Sequence, residues 1–576
     1  MADANDQSRA TSDELREHRH QSDESCFVDL SLLVSRRYPC NYPNPALPSL
    51  VVAPLLRRGS EPFATEAILI DEHTGTHFDA PNHFIPPVSS ALPFATVFGD
   101  VPSEQIPIAQ FVAEACVIDV TSYPDREVSG ENLIPRQAVL DWEATHRKVG
   151  PGDAVLFHTG YSDRFYTPLP GGRRYVHAPM EGRVPAWPAI DPDCVAYLVK
   201  DGARVECIGI DVPNVGPPSP TAVAVHVAGL SKGVLFVENL TNLACLPATG
   251  SLYVLLGAKH AAASGGEARA FAIKPCTARP ELARHLIKSA RNQQVVDLTV
   301  LLREDLPVVW PGHRTASPPA PPFSAVPTYR CRYLAKTLHS WDQPGGPALV
   351  RTHLMDSHTG THLVPPGYAI PEPGYDCEKL DPITRHSLRE FEMKYGAVGT
   401  STATADKIPI DSLCGHARII DVHRLTGAAG PGKSPEITVD FIREHEANHG
   451  RLRRGDVVIF HSGYTDRFFA PSPSGDRFIV QPIAGAAEGW PAPNAETMFL
   501  LRQRGITCAA TDGPRVGSVE EAKALWTYWA AAVSGISLVE NLTNVGALPR
   551  RGAYFLFAPV KIKGSHGGHG RAIALF

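Results

Sequence analysis

The chain has 576 residues, too many for one ordinary core, so two or more domains are expected. A formal net charge of −6 excludes the basic footprint of a nucleic-acid binder, while 43% apolar and 20% charged residues are ordinary for a soluble globular protein. Apolar runs such as Val234–Val237 and Val254–Gly257 are strand-length and far short of a membrane span, which leaves a small molecule as the expected partner.

Residues 1–25, "MADANDQSRATSDELREHRHQSDES", are polar with no apolar centre, so they read as a disordered tail rather than a secretory signal, and a cytoplasmic location is expected. The 11 cysteines include no Cys-x-x-Cys pair, so buried, reduced thiols are expected rather than a zinc ribbon or a dense disulfide framework. Next comes "DEHTGTHFDAPNHF", Asp71–Phe84, which gathers histidines and aspartates around a glycine and a proline. The runs "AVLFH", "VECIGID", "GVLFVEN" and "LYVLLGA" are short, β-branched and bounded by Gly or Pro, as strands should be. Between them, "DCVAYLVKDG" (Asp193–Gly202) predicts a helix closed by glycine. With 53 prolines and 47 glycines, tight connections dominate, and the fold class is α/β.

The second half repeats the first. "FVDLSLLV" answers to "VVDLTVLL", "GDAVLFHTGYSDRF" to "GDVVIFHSGYTDRF", and "VLFVENLTNLACLP" to "ISLVENLTNVGALP". The offset drifts from 268 (297 − 29) through 285 (358 − 73) to 302 (540 − 238), so the second copy carries insertions, one near the proline-rich "SPPAPPFSAVPTYRCRYLAKTLHS". A period this long means a duplicated domain rather than a solenoid. The expected organisation is a first domain over residues 26–278, a linker over 279–294 and a second domain over 295–576. Leu282 and Leu286 at i,i+4 hint at a short connecting helix in the linker.

His73, His77, Asp79 and His83 carry the chemistry of the first copy. In extended chain His77 and Asp79 project from one face, and imidazoles with a carboxylate suit Zn²⁺ or Mn²⁺. "HTGTHFDAPNHF" resembles the His-x-Gly-Thr-His-x-Asp-x-Pro-x-His signature of the cyclase family, which includes bacterial kynurenine formamidase and isatin hydrolase. The resemblance runs over both halves and implies a swivelling β/β/α domain, here in two tandem copies forming an intramolecular pseudo-dimer, with further homo-oligomers open. It places His73, His77 and Asp79 as metal ligands and His83 as the proton-transferring histidine. It adds His226 and Glu238, twelve residues apart (238 − 226), as completing a second metal position bridged by Asp79. One or two divalent ions, Zn or Mn, are implied. The expected reaction is hydrolysis of a cyclic amide or aryl formamide. Lactone or ester hydrolysis, a metal-dependent cyclase or dehydratase, and a non-catalytic ligand-binding regulator are the alternatives.

The second copy keeps His358, His362 and Glu540 but replaces Asp79 by Val364, His83 by Tyr368 and His226 by Tyr528. It is therefore expected to be non-catalytic, unless an unrelated histidine such as His353 or His566 substitutes. Its expected role is to shape a pocket wall of the first site, with "REDLPVVWPGHR" (Arg303–Arg314) as the candidate segment. "FHTGYSDRF" offers His158, Tyr161 and Arg164 to the pocket, but its persistence in the degenerate copy favours structure. Asp211 is expected to anchor a turn.

Overall fold

The computed structural model describes residues 25–43, 50–56, 62–122, 127–128, 131–200, 204–310, 333–343 and 348–576. The N-terminal tail and most of the proline-rich insertion lie outside the described residues. The first half builds one eight-stranded sheet. Its parallel centre is Val112–Asp119, Asp153–His158, Cys207–Ile210 and Leu235–Glu238. These strands are covered on both faces, which is why they read as near-continuous apolar runs. The short strand His77–Asp79 pairs with both Leu235–Glu238 and Gly265–Ile273, and Ser251–Gly257 completes the circuit, so the sheet closes on itself at the histidine motif.

Helices Arg136–Thr145, Pro192–Leu198 and Thr221–Leu230 lie over one face, where Val139, Val195 and Val225 bury with Val155, Ile208 and Phe236. The predicted Asp193–Gly202 helix is the second of these, capped by the Asp191 carboxylate on Asp193 N–H (2.8 Å); Gly202 is outside the described residues. Within residues 279–294 the chain forms the helix Leu282–Arg291, which buries Ala283, Leu286 and Ala290. The second half repeats the closed sheet, with His362–Val364 between Ser537–Glu540 and Gly568–Leu575.

The halves share structure. One apolar core runs from Leu252, Leu256 and Phe271 into Tyr554, Leu556 and Ile573. A four-stranded sheet is built from Val51–Leu56 and Thr65–Asp71 of the first half with Val350–Asp356 and Leu334–His339 of the second. Its two central strands are antiparallel, and Leu69 stands opposite Leu354. Since 354 − 69 is 285, the offset of the histidine motifs, each leucine faces its own counterpart on a local two-fold axis. The expected α/β pseudo-dimer is what the chain forms.

The expectation of buried, reduced cysteines holds at Cys40, Cys116, Cys194, Cys207, Cys414 and Cys508 and fails at one pair. Cys26 and Cys276 form a disulfide, with Cα atoms 5.4 Å apart across a sequence separation of 250. The register that sets Phe27 opposite Ile273 brings their flanking residues together, a proximity no local pattern announces. The bond removes the support that reduced thiols lent to a cytoplasmic location. Among the described residues no helix is long and apolar enough to cross a membrane.

Candidate metal centre

The motif turn is set by side chains that do no chemistry. His73 N–H donates to Asp71 Oδ1 (2.8 Å), and Thr74 Oγ1 to Asp71 Oδ2 (3.0 Å). Gly75 takes φ +63°, and a Cβ there would stand 2.6 Å from Val34 Cγ2, so neither the angle nor the space admits a side chain. Thr76 Oγ1 donates to Asn239 O (2.6 Å), tying the motif to the residue after Glu238.

From this turn His77 directs Nδ1 to Gly75 O (2.8 Å), leaving Nε2 at 3.6 Å from Asp79 Oδ1 and 3.4 Å from Glu238 Oε2. His226, on its helix, directs Nδ1 to Ala222 O (2.7 Å), leaving Nε2 at 3.5 Å from Asp79 Oδ2 and 3.6 Å from Glu238 Oε1. His73 Nδ1 lies 3.0 Å from Asp79 Oδ1. Backbone carbonyls thus fix two of the imidazoles with the second nitrogen free, the arrangement that orients metal-ligating histidines. Asp79 Oδ2 and His226 Nε2 are buried, face each other and have no hydrogen-bond partner. Unpartnered buried polar atoms are costly, and a cation between them would satisfy both, so the donor set fits a divalent ion.

Two groups of ligand atoms converge among the described residues: His73, Asp79 and His83; and Asp79, His226 and Glu238. Asp79 belongs to both. His77 adjoins the second group without belonging to it, and His83 completes the first. Burial would raise the Asp79 carboxyl, but the His83, His226 and His73 imidazoles gathered around it outweigh that and hold it well below the usual carboxylate range. His83 is pushed well below the ordinary imidazole range, first by burial and then by the charge of His73.

His83 ends the short turn Pro81–His83, and the second half holds it there. Its Nδ1 faces Leu349 O at 2.7 Å, and Leu349 N–H donates to His83 O at 2.7 Å. Trp341 Nε1 donates to the neighbouring Asn82 O (2.9 Å). A cavity of about 270 Å³ opens over these groups, walled by Tyr42, Phe84, Ala348 and Val350. The second half therefore does form a wall, but not through the expected segment. Trp310 packs edge-on to Trp490 (6.1 Å) beneath the Arg515 guanidinium (4.3 Å), and residues 311–314 are outside the described residues. His158, Tyr161 and Arg164 do not line the cavity. Tyr161 OH donates to the carbonyls of Arg174 and Tyr175 (3.0 Å each), and Tyr464 repeats this on Arg477 and Phe478. Asp211 accepts from Thr159 and Gly160 N–H, as a turn anchor should.

The sequence reading missed four contributors. Phe84 stacks on His226 (4.1 Å between ring centres), Ser264 Oγ lies 3.2 Å from His73 Nε2, and the Glu72 carboxylate bonds Ser264 Oγ. Glu72 adjoins His73 in sequence and was legible there. Ser264 and the carbonyl of Leu349 carry no local signal.

The second-half counterpart is closed. His362 Nε2 lies 3.1 Å from Glu540 Oε2, while Glu540 Oε1 accepts from Val516 N–H (2.7 Å) and Tyr528 OH (2.7 Å). Phe63, from the first half, stacks on Tyr368 at 4.5 Å and meets Tyr528 edge-on at 5.4 Å. Neither alternative histidine is free to substitute: His353 Nε2 lies 3.4 Å from Glu72, and His566 Nδ1 lies 2.6 Å from Glu66.

Among known proteins, the family model described as "Putative cyclase" matches residues 28–217 and 296–518. The isatin hydrolase of Roseibium aggregatum is 27% identical over 219 residues, 37% of this chain and 76% of that protein. Two solved structures are also similar. Isatin hydrolase A from Labrenzia aggregata bound to benzyl benzoate is 23% identical, with a TM-score of 0.35, covering 49% of this chain and 93% of that one. Isatin hydrolase A from Ralstonia solanacearum is 22% identical, with a TM-score of 0.38, covering 52% and 97%.

Proposed function

The chain belongs to the cyclase family, with one copy of the family domain in each half, and we propose that it is a metal-dependent amidohydrolase with a single active site in the first half. The observation that carries this reading is the facing pair Asp79 Oδ2 and His226 Nε2, buried without partners inside a cluster that also holds His73, His77, His83 and Glu238. His73, His77, Asp79, His226 and Glu238 are assigned as ligands of Zn or Mn, one or two ions, with Asp79 shared. A divalent cation there would polarise a carbonyl and lower the pKa of water towards neutrality.

The protein's own part is proton transfer and positioning. With Nδ1 directed to Leu349 O, His83 presents Nε2 to the cavity. That nitrogen accepts a proton from the attacking water and returns it to the leaving nitrogen, and the neutral imidazole that burial and the charge of His73 favour is the form a general base needs. The similarity to an isatin hydrolase supports an amide substrate, cyclic or an aryl formamide, and a cavity of about 270 Å³ suits a molecule of one or two rings. A binding-only regulator has no use for His83.

Zinc- or manganese-loaded protein should open isatin with the gain of one water in product mass, or cleave formanilide with one water into aniline and formate. Activity confined to the lactone dihydrocoumarin would replace the amide assignment by a lactone one. Loss of water from a substrate would replace hydrolysis by dehydration.

A further inference from the structure

The two sites exchange one residue across the two-fold axis, and the exchange is unequal. The chain just before each central strand crosses to the partner site. Leu349 N–H donates to His83 O in one direction, and Ala64 N–H donates to Tyr368 O in the other. These are counterparts: 349 − 64 and 368 − 83 are both 285. One residue earlier stand Ala348 and Phe63, again 285 apart (348 − 63). Phe63 is wholly buried, its ring packed against both Tyr368 and Tyr528, which stand at the sequence positions of His83 and His226. Ala348 lines the open cavity of the first site.

At equivalent chain positions, therefore, the second site carries a phenyl ring packed inside it and the first site a methyl group on the wall of an open cavity. The surroundings of that space suit a ring: Phe84 stacks on His226, and Tyr42 and Val350 complete the wall. We propose that Phe63 marks in the closed half the position that an aromatic ring of the substrate takes in the open half, and that Ala348, supplied by the second half, is the residue that determines whether such a ring is admitted. The inference rests on the hydrolase reading for the term substrate, but the ring site itself is tested by binding alone.

The full-length, zinc-loaded chain is titrated calorimetrically with benzoylformate, an aryl keto acid, and with glyoxylate, the same head group without the ring. Wild type should bind benzoylformate more tightly. Ala348→Phe should weaken benzoylformate by about tenfold or more, a loss of about 1.4 kcal/mol by the affinity relation, and leave glyoxylate within about twofold. Metal content should stay at the wild-type level, because Ala348 carries no ligand. Ala348→Leu, a smaller intrusion, gives an intermediate loss and serves if the Phe variant does not fold. Wild type that does not prefer benzoylformate, or variants that lose neither probe or both equally, would overturn the proposal. Wild type that prefers benzoylformate yet hydrolyses no amide or lactone would leave the ring site standing and remove the hydrolase reading.

Discussion

The two sites differ most sharply in how their buried carboxylates are satisfied. In the first half, Glu238 Oε1 accepts Val215 N–H (2.8 Å) as its counterpart accepts Val516 N–H, but the His77 and His226 Nε2 atoms stand 3.4–3.6 Å from Glu238 and Asp79, and Asp79 Oδ2 and His226 Nε2 have no hydrogen-bond partner. In the second half, Glu540 receives Val516 N–H, Tyr528 OH and His362 Nε2, all within 3.1 Å; of the two retained motif histidines, His358 has its Nε2 buried without a partner. A buried carboxylate needs donors or a cation. Tyr528 supplies a donor where His226 supplies a ligand atom, so the substitutions in the second half interlock. Val364 removes one carboxylate, Tyr528 satisfies the other, and Tyr368 with Phe63 fills the space that remains.

The strongest way to break this contrast is to move the metal. Asp79→Ala should abolish bound Zn or Mn, measured per chain by plasma mass spectrometry, because Asp79 belongs to both ligand groups. Metal retained in that variant would put the site elsewhere, with the His358–His362–Glu540 remnant first in line. His83→Ala sharpens the contrast from the other side. Turnover should fall about 10²–10⁴-fold, the usual worth of a positioned general base, with metal content retained. A fall in metal content matching the fall in rate would make His83 a ligand instead, a role its place in the first ligand group allows.

Next in size is the plug. Phe63 is fully buried against two tyrosines, so Phe63→Ala should cost about 3–5 kcal/mol in urea unfolding without adding a metal equivalent. A gain of metal would show that the second half was blocked rather than chemically incompetent.

How much of this was legible follows from what each feature depends on. The parallel strands were readable because their runs are apolar on both faces, and the duplication because fixed segments recur. His226 and Glu238 were reachable only through the family resemblance; one sits on a helix and the other at a strand end, and no local period links them. Three features were hidden because they join residues hundreds of positions apart: the Leu349 carbonyl that orients His83, the Phe63 plug, and the Cys26–Cys276 disulfide. Phe63 lies ten residues before the histidine motif (73 − 63), and its target lies in the other copy. A sequence read one copy at a time cannot connect them.

The smallest predicted effect separates hydrogen bonding from packing in the closed site. Tyr528→Phe keeps the ring against Phe63 and Tyr368 but takes one donor from Glu540. Stripping a partner from a buried carboxylate costs about 1–3 kcal/mol, and since Val516 N–H and His362 remain, the loss should fall near the lower end, about 1 kcal/mol. Tyr368→Phe is the control, because the Tyr368 hydroxyl makes no hydrogen bond among the described residues and its ring would be unchanged. If the two variants unfold at the same urea concentration, the Tyr528 hydroxyl is not what satisfies Glu540. Closure of the second site would then rest on filled volume alone, and Phe63 rather than Tyr528 would be the substitution that most separates the two halves.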